Sequence, residues 1–497
     1  MHSAKHCGLR LRATPLARLM NVTGLTLAGT LAATAALPAH ADELGDLKAQ
    51  IQALTQRLGD LEAKQKAAAQ APAPAAAPAA PARSLALTTD QDGKPAKEDG
   101  AVMLYDNGKT SLSIYGLLEG TLSSVNHQTD TGGTVNGFQV AYFSGNRLGF
   151  DVQHALGETG QAWGMPDLKV IAKLEAEFEL PTGNMDTANV FFNRDAWMGL
   201  YGKQLGKLTF GRQNTLTRDF TANWGDPYGG AEVTTKEGGY SNVNNFKQFI
   251  FYSASAAGTR YNSAVEWKKD FDGHWLAGLA YAFGSGGAGG SGDVGNGGPI
   301  AGDGSNGTGQ AASIAYNHLD LGGGELNLNA SYDRANKNDL VHQAVLVGGN
   351  LVTGAWRFNA GVVHYTAQQG LHNSAGTRTD NSWTTSMSYR PNAFEYDLGY
   401  QVMRGKHAGF SAGGATLNPF LGDTSHVTAT ADGSKRSLYG AIRYHLDRQT
   451  DMYLAADRFS MTGGWVVGDA LGNGLLYGAG QTYKDETEIA IGMRYKF

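Results

Sequence analysis

Residues 485–497, DETEIAIGMRYKF, decide the fold because their polarity alternates up to the last residue. One face is apolar or aromatic and the other is small or basic: Ile489, Ile491, Met493, Tyr495 and Phe497 against Ala490, Gly492, Arg494 and Lys496. Successive side chains of a β-strand point to opposite faces, so this pattern predicts a strand with lipid on one side and water on the other. A half-buried edge strand of a soluble sheet is the alternative if the pattern stands alone.

The same period of two runs from about residue 101 onward. Between residues 168 and 180, apolar positions alternate with positions that carry mostly charges: Lys169, Ile171, Lys173, Glu175, Glu177 and Glu179. A packed core tolerates such charges poorly, whereas a water-filled lumen accepts them. The alternation therefore places Lys169, Lys173, Glu175 and Glu177 on a pore wall, and a soluble β-sandwich fits poorly.

Composition agrees with a barrel rather than with membrane helices. Charged residues are 17% of the 497 residues, and the mean hydropathy is −0.31. A helical membrane protein would contain runs of about 18 or more apolar residues, and none occurs after residue 41. The candidate strands come to an odd number, with 247–283 the doubtful stretch, but bacterial barrels have an even number. We predict an all-β, antiparallel transmembrane barrel of 16 strands, with 18 as the alternative.

Residues 1–41 have the pattern of a secretory signal peptide. Four basic residues precede or enter an apolar stretch, and Ala39-His40-Ala41 offers a cleavage site before Asp42. The single cysteine, Cys7, lies within this segment, so the mature chain has no disulfide and no thiol ligand. Removing four of the 40 basic residues leaves 36 against 45 acidic ones, a net charge of −9. This charge argues mildly against a nucleic-acid partner.

Residues 42–68 predict a short coiled coil, with an Ala/Pro-rich linker at 69–100. Apolar residues repeat every three or four positions: Leu44, Leu47, Ile51, Leu54, Leu58 and Leu61. One amphipathic helix on a globular surface is the alternative, but the strict 3.5-residue period favours a coiled coil. A helix of this length is marginal alone, so we expect it to pair with the same segment of sister chains. The number of helices in the coil stays open.

Residues 101–497 resemble the general porins of Gram-negative bacteria in several patches that keep the family's order: LYDNGK at 104–109, RLGF at 147–150, FNRDAWMGL at 192–200, GKLTFGR at 206–212 and YHLDRQTDMY at 444–453. The resemblance implies a homotrimeric barrel in outer-membrane lipid. It also implies that the terminal aromatic residues, Tyr495 and Phe497, are the signal for the barrel assembly machinery. The coiled coil resembles the periplasmic extensions of some substrate-selective outer-membrane channels.

The resemblance further implies that the loop at 213–245 folds into the barrel and carries acidic groups that face a basic wall. The matching residues form the expected pore constriction: Asp219, Asp226, Tyr228 and Glu232 on the loop, and Arg147, Arg194 and Arg212 on the wall. Tyr228 stands where the family has an acidic residue. Asp226 has the alternative of capping a turn before Pro227. Arg212 shares its strand phase with Leu208 and Phe210, which predicts an outward position at the rim.

These features predict a porin for passive diffusion of small hydrophilic solutes and ions, with weak ion selectivity because neither charge sign dominates. The alternatives are a channel selective for small anions or organic acids, and a structural protein whose periplasmic coil binds peptidoglycan. The 13 histidines are scattered, and the sequence has neither an HExxH motif nor a nucleophile elbow. We therefore expect no enzymatic activity, cofactor or metal.

Overall fold

The computed structural model describes residues 56, 100–127, 133–139, 141–186, 190–225, 256, 260–283, 307–337, 340–368, 377–410, 429–463 and 485–497. The chain divides into two units, Met1–Ala75 and Ala76–Phe497, and everything below concerns the second. The predicted signal peptide, coiled coil and most of the linker lie outside the described residues. No helix in the described ranges is long and apolar enough to cross a membrane.

The second unit is a closed antiparallel β-barrel of 16 strands, as predicted. Strands and helices follow in the order β1 Val102–Asp106, β2 Thr110–Val125, β3 Val135–Gln139, β4 Asn146–Ala155, α1 Glu158–Ala162, β5 Lys169–Phe178, β6 Asp195–Gly202, β7 Gly206–Asn214, α2 Leu216–Gly225, β8 Arg260–Asp270, β9 Trp275–Ala282, β10 Gly309–Asp320, β11 Glu325–Lys337, β12 Leu340–Thr353, β13 Trp356–Ala367, β14 Arg378–Tyr389, β15 Phe394–Phe410, β16 Ala429–His445, β17 Thr450–Gly463 and β18 Asp485–Lys496.

Two of these eighteen strands, β1 and β3, are short pieces that pair with β2 and do not extend the ring. The ring closes because β2 pairs with β4 on one side and with β18 on the other, while every later strand pairs with its sequence neighbours. The doubtful stretch at 247–283 contains a single hairpin, β8–β9, within its described part. This assignment gives 16 ring strands rather than 18.

Polarity is inverted relative to a soluble protein, as the alternation predicts. On β18, Ile489 and Ile491 are each 55% exposed, whereas Glu488 between strands β17 and β2 is fully buried. The apolar side chains therefore face outward, and the charged ones line the interior. An outward apolar face is stable only against lipid, because exposing that much contiguous apolar area to water would be unfavourable.

Aromatic side chains gather outside the barrel at the end where the turns are short. Trp356 on β13 stacks on Tyr389 of β14, with ring centroids 4.3 Å apart, and Phe394 lies 4.8 Å from Tyr444. Tyr495 and Phe497 also stack on each other, with ring centroids 6.0 Å apart. Aromatic girdles of this kind mark the membrane–water interface of outer-membrane barrels.

Phe497 joins β18 to the first strand of the ring. Gly116 donates its backbone N–H to the Phe497 carbonyl at 2.7 Å and accepts the Phe497 N–H at 3.0 Å. A side chain at position 116 would collide with the Phe497 ring, because an added Cβ would lie 2.3 Å from its Cζ. The role of Tyr495 and Phe497 as an assembly signal stays a prediction.

Candidate pore constriction

Helix α2 lies inside the barrel and reaches from β7 to a distant part of the wall. Its first residue, Leu216, packs closely on Gly278 of β9, where an added Cβ would lie 2.6 Å from Leu216 Cδ1. Further along, Phe220 is buried, and its carbonyl accepts a hydrogen bond from Asn329 Nδ2 on β11. The helix also contacts β10, β12 and β13. It therefore narrows the lumen, and a narrow section sets the size limit of a channel.

Asp219 on α2 forms an ion pair with the wall. Lys268 Nζ on β8 lies 2.5 Å from Asp219 Oδ2 and 2.7 Å from Glu266 Oε1. Asn214 Nδ2 also donates a hydrogen bond to Asp219 Oδ1 at 2.9 Å. The loop acid expected from the resemblance thus faces a basic wall residue, but that residue is a lysine on β8 that the sequence did not single out.

Arg194 is buried between two acids that were predicted to lie on the pore wall. Its guanidinium forms ion pairs with both Glu175 and Glu177 of β5. Tyr115 donates its hydroxyl to Glu175 Oε2 at 2.7 Å, and Lys173 Nζ lies 3.8 Å from the same oxygen. Four of the predicted residues therefore form one network, which balances two basic groups against two acidic ones.

Arg147 lies next to this network, and Lys169 lies away from it. Arg147 is opposite Glu177 in the β4–β5 register, and its Nε donates to the Gly145 carbonyl at 3.0 Å. Lys169 begins β5, opposite Ala155 and Tyr201. Lys169 is thus at the end of the barrel where β4 and β5 are joined, remote from Glu177 along the strand.

Arg212 keeps the phase that its position in β7 predicts. The β6–β7 register runs without a shift, with Met198 opposite Phe210 and Ala196 opposite Arg212. The β7–β8 register shifts between Gly211 and Gln213, and the additional residue belongs to β8. The alternation of β7 therefore continues through Arg212. Arg212 is half-buried, and its Nε and Nη2 donate to the Asn193 carbonyl at 2.8 and 2.7 Å. The remaining constriction residues from the sequence, Asp226, Tyr228 and Glu232, lie outside the described residues.

The sequence did not reveal a second segment inside the lumen, Ala141–Gly145, which we call the lumen insert. Glu119 on β2 holds it, since its carboxylate accepts the backbone N–H groups of Tyr142, Phe143 and Ser144 at 2.8, 2.7 and 2.8 Å. The Tyr453 hydroxyl donates to the same carboxylate at 2.7 Å. Every residue of the insert is buried.

Aromatic contacts fix the lumen insert against the inner face of β16–β18. The Phe143 ring lies 4.5 Å from the Tyr453 ring and 4.9 Å from the Tyr142 ring, in edge-to-face arrangements. The Arg494 guanidinium lies 5.7 Å from the Phe143 ring centroid. Two features of the sequence could have indicated this insert: an acid on the inner face of the first long strand, and an aromatic pair before the RLGF patch.

Among the described residues, buried charged side chains are distributed unevenly around the wall. The β5–β8 sector, residues 169–270, contributes four basic and three acidic side chains: Arg194, Lys207, Arg218, Arg260, Glu175, Glu177 and Glu266. The β14–β2 sector, strands β14 to β18 with β2, contributes three basic and eight acidic side chains: Arg378, Arg443, Arg494, Glu119, Asp380, Glu395, Asp397, Asp451, Asp457, Glu486 and Glu488.

A closed barrel with an apolar outer face, an aromatic girdle and a charged, narrowed lumen defines the class of outer-membrane channels. A family model described as Gram-negative porin matches residues 67–464. The chain belongs to this Gram-negative porin family. Its function is therefore that of an outer-membrane channel. A comparison with curated proteins found no match.

Among solved structures, the anion-selective porin from Comamonas acidovorans aligns with a TM-score of 0.53 and 18% identity, over 78% of this chain and all of that one. This similarity shows the fold. The outer-membrane channel DcaP of Acinetobacter baumannii aligns at 0.47 and 13% identity, over 79% of this chain and 99% of that one. The OmpF of Salmonella typhi, in a complex with daunomycin, aligns at 0.45 and 14% identity, over 80% of this chain and all of that one.

Proposed function

We propose that this porin lets small hydrophilic solutes and ions diffuse passively, with weak ion selectivity. The observation that carries the proposal is the pairing of charges at the narrowed lumen. Asp219 is paired with Lys268, and Arg194 is paired with Glu175 and Glu177. Because paired charges largely cancel one another's field at a distance, neither sign of ion is strongly excluded.

Planar-bilayer recording of the refolded mature chain tests the proposal. We expect a large ohmic conductance and, in a tenfold KCl gradient, a reversal potential close to zero. A large reversal potential of either sign would contradict weak selectivity. A correctly folded barrel without conductance would contradict diffusion and favour a structural role.

A channel selective for small anions is the second candidate. Lys173, Lys207 and Lys268 lie on β5, β7 and β8, and Lys268 contacts Asp219 of α2. One solved structure with the same fold is an anion-selective porin. Lys207 is buried, with its Nζ 4.4 Å from the Trp197 ring centroid. This candidate predicts an anion-selective reversal potential, together with a conductance that saturates when a small organic acid replaces chloride.

The proposal includes a homotrimer with the N-terminal coil, residues 42–68, in the periplasm. The support is the heptad pattern before the linker and the family to which the barrel belongs. Conductance that closes in three equal steps would support the trimer. Deleting residues 42–68 separates two roles of the coil, because loss of the trimer makes it the trimerisation element. A retained trimer makes it a spacer or a tether, and binding of the full chain to purified peptidoglycan then tests the tether.

A further inference from the structure

Three acids converge on the inner face of β17 and β18. One carboxylate oxygen from each of Asp457, Glu486 and Glu488 lies within 4.8 Å of the other two. All three side chains are buried. The strand register explains the convergence, because Asp457 is opposite Glu488 and Phe459 is opposite Glu486, which places the three side chains on the same face of adjacent strands.

A fourth oxygen belongs to Gln139 on β3. This side chain is 1% exposed, and its Nε2 donates to Glu488 Oε1 at 2.7 Å. Its own Oε1 is buried and has no hydrogen-bond partner. A buried acceptor without a donor is unfavourable, so the Gln139 amide is poised beside the acids with an oxygen that a cation would satisfy.

The spacing and chemistry of these oxygens suit a hard divalent cation. Ca²⁺ takes carboxylate and amide oxygens at 2.3–2.6 Å, so that ligands on opposite sides of the ion are about 5 Å apart. The separation of at most 4.8 Å among the three carboxylate oxygens falls within this limit.

We propose that Asp457, Glu486, Glu488 and the Gln139 amide oxygen bind one divalent cation, with Ca²⁺ preferred over Mg²⁺. The preference follows from geometry, because Mg²⁺ demands near-ideal octahedral ligands at 2.0–2.1 Å, whereas Ca²⁺ accepts the irregular positions that two rigid strands impose. Binding of this ion does not depend on whether the channel conducts, so it can be measured independently of the proposed function.

The bound ion would connect the lumen insert to the wall. One residue separates Gln139 from the insert. Within the insert, Tyr142 donates its hydroxyl to Asp457 Oδ2 at 3.0 Å. The segment from β3 to the insert is thus held by Glu119 at one point and by the cation site at another. Removing the ion should loosen only the second attachment.

Calcium titration of the full mature chain, refolded in detergent and freed of divalent ions with EDTA, tests the site. We expect saturable binding of one Ca²⁺ per chain by calorimetry and a rise in melting temperature on adding Ca²⁺. Glu488→Gln should weaken the affinity at least about tenfold. The matched control is Asp485→Asn, which neutralises a carboxylate on the same strand whose partners are His127 and Arg458. It should bind as the parent does.

Terbium luminescence gives a second readout that needs no carboxylate variant. Tb³⁺ replaces Ca²⁺ at oxygen sites and emits when a nearby tyrosine is excited, and Tyr142 contacts Asp457 directly. We expect emission that Ca²⁺ displaces and that Tyr142→Phe reduces. The proposal is overturned if the unaltered chain shows no displaceable emission and no calcium binding, or if Glu488→Gln and Asp485→Asn bind equally well.

Discussion

The β5–β8 sector and the β14–β2 sector line the same lumen but treat their charges differently. In the first, buried acids have basic partners, as Glu175 and Glu177 have in Arg194 just before β6 and as Glu266 has in Lys268 on the same strand. In the second, Arg443 pairs with Glu395 and Asp397, yet acids outnumber bases eight to three among the buried residues that the structure describes. In the described part of the barrel, one wall is electrically balanced at short range, and the other is acidic.

The difference shows that two separate structural features, α2 and the lumen insert, shape this pore. The balanced sector faces α2, where charge pairing leaves the passage open to both signs of ion. The acidic sector carries the lumen insert, and Glu119 there binds backbone N–H groups instead of a solute. A carboxylate that accepts three such bonds is a structural anchor. The main role of the acid Glu119 on that side is therefore to hold the lumen insert in place, and any effect on permeation is secondary.

The largest expected effect is the loss of Arg194. Arg194→Ala leaves Glu175 and Glu177 buried without their shared cation, and breaking a buried pair in this way costs about 3–5 kcal/mol. Urea unfolding in detergent, followed by tryptophan fluorescence, measures the change. Arg458→Ala is the control, because Arg458 is 63% exposed and its pair with Asp485 is worth about 0–1 kcal/mol.

A second substitution sharpens the same experiment. Adding Glu177→Gln to Arg194→Ala removes one of the two buried carboxylates that lose Arg194, so the double variant should be more stable than the single one. If the double variant is less stable, the ion pair is not what holds this sector together.

The lumen insert should give the next largest effect. Phe143→Ala removes the ring that contacts Tyr142 and Tyr453. Core Phe→Ala changes cost about 3–5 kcal/mol, and we expect the lower end, about 3 kcal/mol, because water from the lumen can fill the space. Single-channel conductance should rise as the lumen widens. The control is Phe210→Ala on the outer face, where the ring is 44% exposed, and it should leave conductance unchanged.

A smaller effect is expected at α2. Asp219→Asn removes the carboxylate that Lys268 contacts, with an expected loss of about 1.5 kcal/mol for one charged hydrogen bond. The lysine then contributes more positive potential to the lumen, so the reversal potential in a KCl gradient should move toward anion selectivity. Asp272→Asn makes the same charge change in the β8–β9 turn and should not move it. An unchanged potential in Asp219→Asn would separate α2 from ion selection.

The sequence predicted the strands of the barrel wall well and the groups that converge inside the lumen poorly, for a physical reason. A ring strand pairs mostly with its neighbours in sequence, so local alternation predicted most of the strands and placed Glu175 and Glu177 inside. The count of 16 also needed the rule that bacterial barrels have an even number of strands. The phase of Arg212 follows in the same way, because the β6–β7 register continues through it without a shift.

Long-range convergence was beyond the sequence pattern. Glu119 meets residues 23 to 25 positions later, in a segment with no periodicity of its own. Asp457 and Glu488 belong to strands separated by the connection 464–484, so no spacing in the sequence indicated a group of acids. The first arrangement depends on how a connection folds into the lumen and the second on the register of β17 and β18, and alternation alone carries no information about either.

The smallest expected effect lies at the rim and gives a baseline for both sectors. Asp447 in the β16–β17 turn accepts the backbone N–H groups of Gln449 and Thr450 at 2.8 and 2.6 Å. These bonds, that from Gln449 foremost, hold the pKa of Asp447 below the usual aspartate value. A lowered folded-state pKa means that the stabilisation is present at neutral pH and is lost as the pH falls through that pKa.

Asp447→Ala should therefore unfold at a slightly lower urea concentration than the parent at pH 7, with the difference vanishing in strong acid. A difference that stays constant into strong acid would show that the charge of Asp447 contributes nothing. If the lumen contacts contribute more to stability than this solvent-exposed turn, the losses of stability in Arg194→Ala and Phe143→Ala will exceed the loss in Asp447→Ala.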